Sequence, residues 1–352
     1  MTIEDVPVNL IVGFLGVGKT TAVRHLLGRR PSGERWAVLV NEFGQIGVDG
    51  ALLDEEGVAI REVAGGCLCC VASVALTAGL NRLLRDARPD RLLIEPSGLG
   101  HPARLIEQLT SEPYRRVLDL RATIGLLDAR HLRDPRYLDH PSFQDQIHLS
   151  DILVANKADH YHDVDREAFL RLVRGIKPAK SKIAIVEHGR IETAWLDWPR
   201  SAARRALFPE AHRFLEERSG LAAAGQDPQR APDPLPVALP VKPGSDGAGW
   251  WFVEGAGEGY ASGGWLLDGR MCLDANGFRD LLAALVAERV KGVVHTTEGW
   301  LLVDRAEGEG RDEATRPRHE SRLEIVHRTR LDWPDLDARL RGLVGGDGLD
   351  LV

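Results

Sequence analysis

Gly13-Phe-Leu-Gly16-Val-Gly18-Lys19-Thr20 is the segment that most narrows what this chain can fold into. Its spacing matches G-x-x-x-x-G-K-[ST], a loop built to hold phosphate groups. The apolar run Val8–Val12 precedes it, and Thr21–Leu27 can continue as a helix. Glycines let the backbone turn its N–H groups toward phosphate oxygens, and the helix N-terminus adds partial positive charge. Lys19 can reach the β- and γ-phosphates, and the Thr20 hydroxyl can bind Mg²⁺. The competing reading is a Gly-rich turn with a solvated lysine. It does not explain why strand, loop and helix follow in that order.

The rest of the first 200 residues repeats the alternation. Trp36–Val40, Arg91–Ile94, Ala122–Leu127, Ile152–Ala155 and Ile183–Val186 read as short strands bounded by Gly, Pro, Asn or Asp. Leu76, Leu80, Leu83 and Leu84 form an apolar helical face between two of them. Near-continuous apolar strands with helical crossovers predict an α/β fold, a mostly parallel sheet covered by helices on both faces. Gly220–Gly249 then holds six of the 19 prolines and reads as a linker. Beyond it, Trp250–Val253, Gly264–Leu267, Val293–Thr297, Trp300–Val303 and Leu323–Val326 read as strands. Phe278, Leu281, Leu282, Leu285 and Val286 recur at helical spacing, and Leu336–Leu343 reads as a closing helix. This pattern predicts a smaller α+β domain of split βαβ type. The expected organisation is a nucleotide-binding domain over 1–215, a linker over 216–249 and the small domain over 250–345.

Composition removes several function classes. The 352 residues carry 45 Lys and Arg against 52 Asp and Glu, a net charge of −7. A mildly acidic chain is a poor general binder of nucleic acid or anionic membranes. No apolar stretch approaches the roughly 20 residues of a membrane span. Met1–Pro7 holds Glu4 and Asp5 rather than a basic leader, and four cysteines are too few for a disulfide scaffold. A cytoplasmic setting is therefore expected.

Three further motifs carry chemistry. Asn156-Lys157-Ala158-Asp159 follows a strand, where an aspartate can accept from guanine N1–H and N2–H₂; adenine has no such donors at those atoms. Arg91-Leu-Leu-Ile-Glu95-Pro-Ser-Gly98 ends a strand on a carboxylate, a position suited to a Mg²⁺ partner, and Gly98 can offer its N–H to a γ-phosphate. Gly65-Gly66-Cys67-Leu68-Cys69-Cys70 places three of the four cysteines within four residues. Thiols so close rarely form good disulfides, but three thiolates can converge on one Zn²⁺. The fourth ligand would be water, a carboxylate, a histidine or a group from a partner, with Glu42 a candidate and His101 a weaker one. Packing of three small hydrophobes and redox sensing are the competing readings. The polar loop Asn41–Asp49 follows strand Trp36–Val40 and is of a kind that γ-phosphate can order. Asp49, at the end of that loop, is the candidate general base.

Together, Gly13–Thr20, Asn41–Gly44, Cys67–Cys70, Glu95–Gly98 and Asn156–Asp159 resemble the CobW-like family of P-loop GTPases, which act as GTP-dependent metal chaperones. Glu288–Gly292 and Ser321–Glu324 are similar to that family's C-terminal domain. The resemblance implies slow GTP hydrolysis coupled to delivery of a transition metal, zinc or cobalt above all, to a client metalloprotein. By position, Gly13, Gly16, Val17, Gly18, Lys19, Thr20, Thr21 and Gly98 would hold phosphates and Mg²⁺, with Lys19, Thr20 and Glu95 serving hydrolysis. Asn156, Lys157 and Asp159 would form the guanine site, and Cys67, Cys69 and Cys70 would hold the cargo ion. Gln45 stands where many members carry a carboxylate, and there is no His-rich tract, so a second loading site is not expected. No arginine stands out as a transition-state finger, which implies slow turnover. Two other functions fit the residues less well: a non-catalytic switch responding to GTP and metal, and a P-loop kinase using ATP. Oligomeric state is not legible.

Overall fold

The computed structural model describes residues 3–43, 58–65, 71–208, 249–257 and 259–345. Two compact units result, each with its own sheet. Nearly all of the linker expected over 216–249 lies outside the described residues.

The first unit is built on β1 (Val6–Gly13), β2 (Trp36–Phe43), β3 (Ala59–Gly65), β4 (Arg91–Glu95), β5 (Leu118–Leu120), β6 (Ile124–Asp128), β7 (Ile152–Asn156) and β8 (Lys182–Ile185). Their order is β3-β2-β4-β1-β6-β7-β8, with β5 also pairing with β1. β1 runs parallel to β4, β5 and β6, as β2 does to β4 and β7 to both β6 and β8. The helices are α1 (Lys19–Leu27), α2 (Val71–Ala87), α3 (Pro102–Leu109), the single turn α4 (Pro135–Leu138), α5 (Pro141–Leu149) and α6 (Asp163–Gly175). Val8, Leu10 and Val12 of β1 pack with Leu76, Leu80, Leu83 and Leu84 of α2 and with Leu105, Ile106 and Leu109 of α3. This bears out the apolar helical face expected of α2. The α/β reading holds, and β3 and β5 are additions to it. In β3, Arg61 and Glu62 interrupt the apolar Ile60 and Val63, and β5 is three residues long, so neither presents an apolar run.

β1 lies between β4 and β6: the chain runs from β1 to β2, β3 and β4 on one side, then crosses to β5, β6 and β7 on the other. Open α/β sheets bind ligands at such a switch point, beyond the carboxyl ends of the strands. The pairings Gly13↔Leu126, Leu10↔Ile94 and Asp128↔Asn156 bring the carboxyl ends of β1, β4, β6 and β7 to one edge. At the opposite edge a buried ion pair ties the chain. Asp151 accepts from Arg204 Nε at 2.9 Å, from Thr123 N at 3.0 Å and from Ser201 N at 3.1 Å.

The second unit is an antiparallel sheet ordered β13-β12-β11-β14-β10-β9. Its strands are β9 (Trp250–Gly257), β10 (Tyr260–Asp268), β11 (Arg289–Thr296), β12 (Gly299–Ala306), β13 (Glu309–Ala314) and β14 (Glu320–His327). Helix α7 (Ala275–Ala284) joins β10 to β11, and α8 (Trp333–Arg341) closes the unit. β14 lies between β10 and β11 and is antiparallel to both, which is the split βαβ arrangement. α7 stops short of the expected periodicity: Leu285 is its C-cap and Val286 is 80% exposed. β13 escapes an apolar-pattern search because it is a charged edge strand, Glu309-Gly-Arg-Asp-Glu-Ala. It follows a two-residue turn at Glu307 and Gly308, both at positive φ, as a tight hairpin requires.

Trp265, Phe278 and Trp333 are fully buried at the centre of this unit. A Cβ on Gly263 would stand 2.7 Å from the Trp333 ring and 2.9 Å from the Trp265 ring, so only glycine admits that packing. Trp250 also belongs to this core. Trp300 stacks on His295 with ring centres 5.0 Å apart. Asp337 of α8 ties the core together, accepting from Trp250 Nε1 at 2.8 Å, Trp265 Nε1 at 2.9 Å and Arg341 Nε at 2.8 Å. Partial burial pushes the Asp337 carboxyl up, but the bonds from Arg341, Trp250 and Trp265 outweigh it and hold it below the usual carboxylate range. A depressed carboxyl stabilises the fold above its unfolded pKa, and that contribution is lost as pH falls through the folded value. Asp337→Ala is expected to cost about 1.5–3 kcal/mol at neutral pH, the worth of hydrogen bonds to a charged group. Urea unfolding followed by tryptophan fluorescence should show the cost at pH 7 and a smaller one below the carboxylate range. A cost that does not shrink on acidification would mean the side chain acts by shape alone.

Candidate functional site

The loop after β1 is shaped by its glycines. Gly13, Gly16 and Gly18 have φ of 152°, 72° and 94°, all in the region open chiefly to glycine. A Cβ on Gly13 would meet the Leu126 carbonyl oxygen at 2.4 Å. Gly18 is the N-cap of α1, which begins at Lys19 with no acidic residue in its first turn. Lys19 and Thr20 are both buried. Lys19 Nζ donates to the Phe14 carbonyl at 3.2 Å, so the side chain curls back over its own loop. Phe14 itself is wedged edge-on against Tyr137, His140 and Phe143, which fixes the outer rim of the loop. His140 is therefore part of that rim.

Thr20 Oγ1 donates to Glu95 Oε1 at 2.8 Å. Residues 75 positions apart thus meet because β4 lies directly beside β1. A hydroxyl and a carboxylate, both buried, form the hard oxygen pair that suits a Mg²⁺ ion. The chain continues from Glu95 into a turn in which Gly100 N donates to the Ser97 carbonyl at 2.9 Å. A Cβ on Gly98 would lie 2.8 Å from the backbone nitrogen of Leu15, so this turn rests directly on the phosphate loop. His101 caps α3, with Nε2 3.1 Å from Ser142 Oγ and Nδ1 3.9 Å from Asp145 Oδ2. Both ring nitrogens thus face α5.

Asn156, at the end of β7, donates from Nδ2 to the Val17 carbonyl at 2.9 Å and accepts on Oδ1 from Gly189 N at 2.9 Å. Its amide therefore braces the phosphate loop against the loop after β8. Gly189, at φ 66°, could not carry a Cβ without meeting Ala22 N at 2.7 Å. Its sequence signal is the pair His188-Gly189, separated from the end of β8 by two residues. Tyr161 donates to the Asn156 carbonyl and accepts from Ala129 N at 2.8 Å, and burial pushes its phenol well up. Lys157 takes a left-handed conformation, with Nζ 3.8 Å from Asp128 Oδ2. Burial pushes the Asp128 carboxyl up, but hydrogen bonds from Arg130 and the charges of His131, Arg130 and Lys157 hold it below the ordinary range. Asp159 projects from the following 3₁₀ turn, exposed, with His160 Nε2 3.2 Å from its carboxylate.

The sequence profile of the family described as CobW/HypB/UreG, nucleotide-binding domain, matches residues 7–184. A protein named zinc chaperone YeiR, from Escherichia coli K12, is 37% identical over 338 residues, covering 94% of this chain and 96% of its own length. The chain belongs to the CobW/HypB/UreG family. Zinc chaperone CobW of Pseudomonas aeruginosa is 32% identical over 225 residues, 54% of this chain and 59% of its own length. Zinc-regulated GTPase metalloprotein activator 1 of Schizosaccharomyces pombe is 31% identical over 169 residues, 45% of this chain and 40% of its own length.

In this CobW/HypB/UreG member the structure brings Lys19, Thr20, Glu95, Gly98 and Asn156 around one loop. Cys67, Cys69 and Cys70 lie outside the described residues, as do Gln45 and Asp49. Glu42 is in β2, and its side chain is not among those described. Among the described residues no group of three or more His, Cys, Asp and Glu could hold a metal ion, and no helix is long and apolar enough to cross a membrane.

Proposed function

We propose that the chain is a GTP-hydrolysing metal chaperone that binds a transition metal, zinc first, through Cys67, Cys69 and Cys70 and passes it to a client metalloprotein. The observation that carries the nucleotide half is the buried 2.8 Å contact between Thr20 and Glu95 beneath the glycine loop. Thr20 and Glu95 would hold a magnesium ion, directly or through water. A bound Mg²⁺ ion offsets charge on the β- and γ-phosphate oxygens. Lys19 lies at the helix N-terminus and would leave the Phe14 carbonyl for those oxygens, adding charge where it develops in the transition state. Gly98 would offer its N–H to the γ-phosphate. A water oxygen attacks γ-phosphorus, the bond from phosphorus to the β–γ bridging oxygen breaks, GDP leaves, and the water's protons pass to the inorganic phosphate product and to solvent. Asp159 would read guanine through N1–H and N2–H₂, while Asn156 holds the loop in place. Relatives named as zinc chaperones support zinc as the cargo, and the thiol trio supplies the borderline-soft donors it takes. A two-domain layout over 1–215 and 250–345, acting in the cytoplasm, completes the reading.

Metal analysis of the purified chain beside a Cys69→Ser variant, each with GTP and with GDP, tests it. The parent is expected to hold one equivalent of zinc with an affinity that depends on the nucleotide, and the variant to lose that equivalent. Binding linkage is reciprocal, so zinc must also change nucleotide affinity in the parent. Equal zinc affinity in both nucleotide states would end the coupling; zinc retained in full by the variant would remove the thiol site.

A further inference from the structure

Helix α5 carries a buried polar face that the proposed reaction does not use. Ser142 and Asp145 are fully buried and Gln146 is 3% exposed, beside the apolar Phe143, Ile147 and Leu149. Positions 142, 145 and 146 share one side of a helix. Polar groups in such a place are costly unless they are bonded. Gln146 Nε2 donates to the Gly98 carbonyl at 2.9 Å and to the Gly100 carbonyl at 3.1 Å, gripping at two points the turn that rests on Leu15. Ser142 Oγ meets His101 Nε2 at 3.1 Å, one residue further on. Asp145 has one carboxylate oxygen 3.9 Å from His101 Nδ1. Its other oxygen accepts from Leu207 N at 2.7 Å and Phe208 N at 3.3 Å. Residues 207 and 208 directly precede the segment that leads toward the second unit.

We propose that Gln146 is a positioning residue that sets the Ser97–Gly100 turn against the phosphate loop, and that Asp145 transmits the position of that turn to the backbone at Leu207 and Phe208. The proposal rests on the GTPase reading, because the turn is the segment whose Gly98 N–H would meet a γ-phosphate. A nucleotide with a terminal phosphate pulls on Gly98, Gln146 and His101 follow, and α5 carries the shift to the hydrogen bonds on Asp145. The same helix thereby serves both the reaction and the exit of the chain toward the second unit.

The full chain with Gln146→Met tests both parts. Methionine keeps the length and the apolar contacts of glutamine but has no donor. GTP turnover is expected to fall about tenfold, with GDP affinity within twofold of the parent, since GDP makes no demand on Gly98. Hydrogen exchange at the Leu207 and Phe208 amides is expected to differ at least fivefold between the GDP complex and a non-hydrolysable GTP analogue in the parent, and to become equal in the variant. Should Gln146→Met fail to fold, Ser142→Ala removes the neighbouring link and is expected to cut turnover about threefold, again without loss of GDP affinity. Loss of GDP and GTP binding in parallel would show a merely structural helix and overturn the proposal. So would equal exchange at 207 and 208 in both states of the parent. A parent that binds both nucleotides without hydrolysing GTP would remove the GTPase reading, while the exchange comparison still decides the coupling.

Discussion

Lys19→Ala is expected to lower single-turnover GTP hydrolysis about 10²–10³-fold, the range seen when one preorganised donor to a developing oxyanion is removed. The ammonium stands at the head of α1, where the orphan N–H groups of the first turn already favour anions. Its burial excludes competing water, so a charge there counts for more than on the surface. It donates to the Phe14 carbonyl at 3.2 Å, a neutral partner that phosphate oxygens can replace at little cost. GTP affinity should fall more than GDP affinity, because in the proposed mechanism the lysine would reach the γ-phosphate as well as the β. Rapid-quench measurement of inorganic phosphate at saturating GTP reads the loss directly. Hydrolysis within threefold of the parent would show that charge is supplied from elsewhere.

Gly18→Ala is expected to destabilise the nucleotide-binding unit by about 3 kcal/mol or more and to abolish nucleotide binding. Gly18 sits at φ 94°, where an L side chain costs on the order of 1–2 kcal/mol. The new methyl would also stand 2.5 Å from Asn156 Nδ2. Moving the Asn156 amide breaks its bonds to Val17 and Gly189, and a buried polar group left unpaired costs about 1–3 kcal/mol. Unfolding in urea, followed at Trp36 and Trp195, measures the total. A double-mutant cycle with Asn156→Ala separates the two contributions, since a clash with the amide disappears once the amide is gone. The pair should therefore cost less than the sum of the single changes. Strict additivity would assign the whole effect to backbone strain.

Lys19 and Asn156 differ in how they could be recognised. Lys19 is legible from the motif alone: a lysine after Gly-x-Gly at a strand-to-helix junction has few other uses. Asn156 is legible only as the first residue of N-K-x-D, and the motif points to the base. The structure gives both its amide atoms to the protein, to Val17 on one side and Gly189 on the other. Local sequence cannot show that contact, because Gly189 is brought there by β8 and Val17 by β1. Gln146 and Asp145 were invisible for the same reason. In a helix of the composition Pro-Ser-Phe-Gln-Asp-Gln-Ile-His-Leu, polar residues read as the solvated side. They are buried here because the turn after β4 and the backbone at Leu207 and Phe208 fall on that side of α5.

What the amino-acid order determined by itself was local and repetitive: the glycine loop between strand and helix, the apolar strands of a parallel sheet, and the change to a smaller α+β pattern after residue 250. Each follows from the backbone freedom of glycine or from side-chain periodicity, which act over a few residues. Tertiary structure alone decided that Thr20 meets Glu95, that Gly98 rests on Leu15, that Asn156 braces the glycine loop, and that α5 turns its polar side inward. Those contacts join residues far apart in the chain, and strand order sets them: β4 and β6 on either side of β1 carry their loops to the same edge.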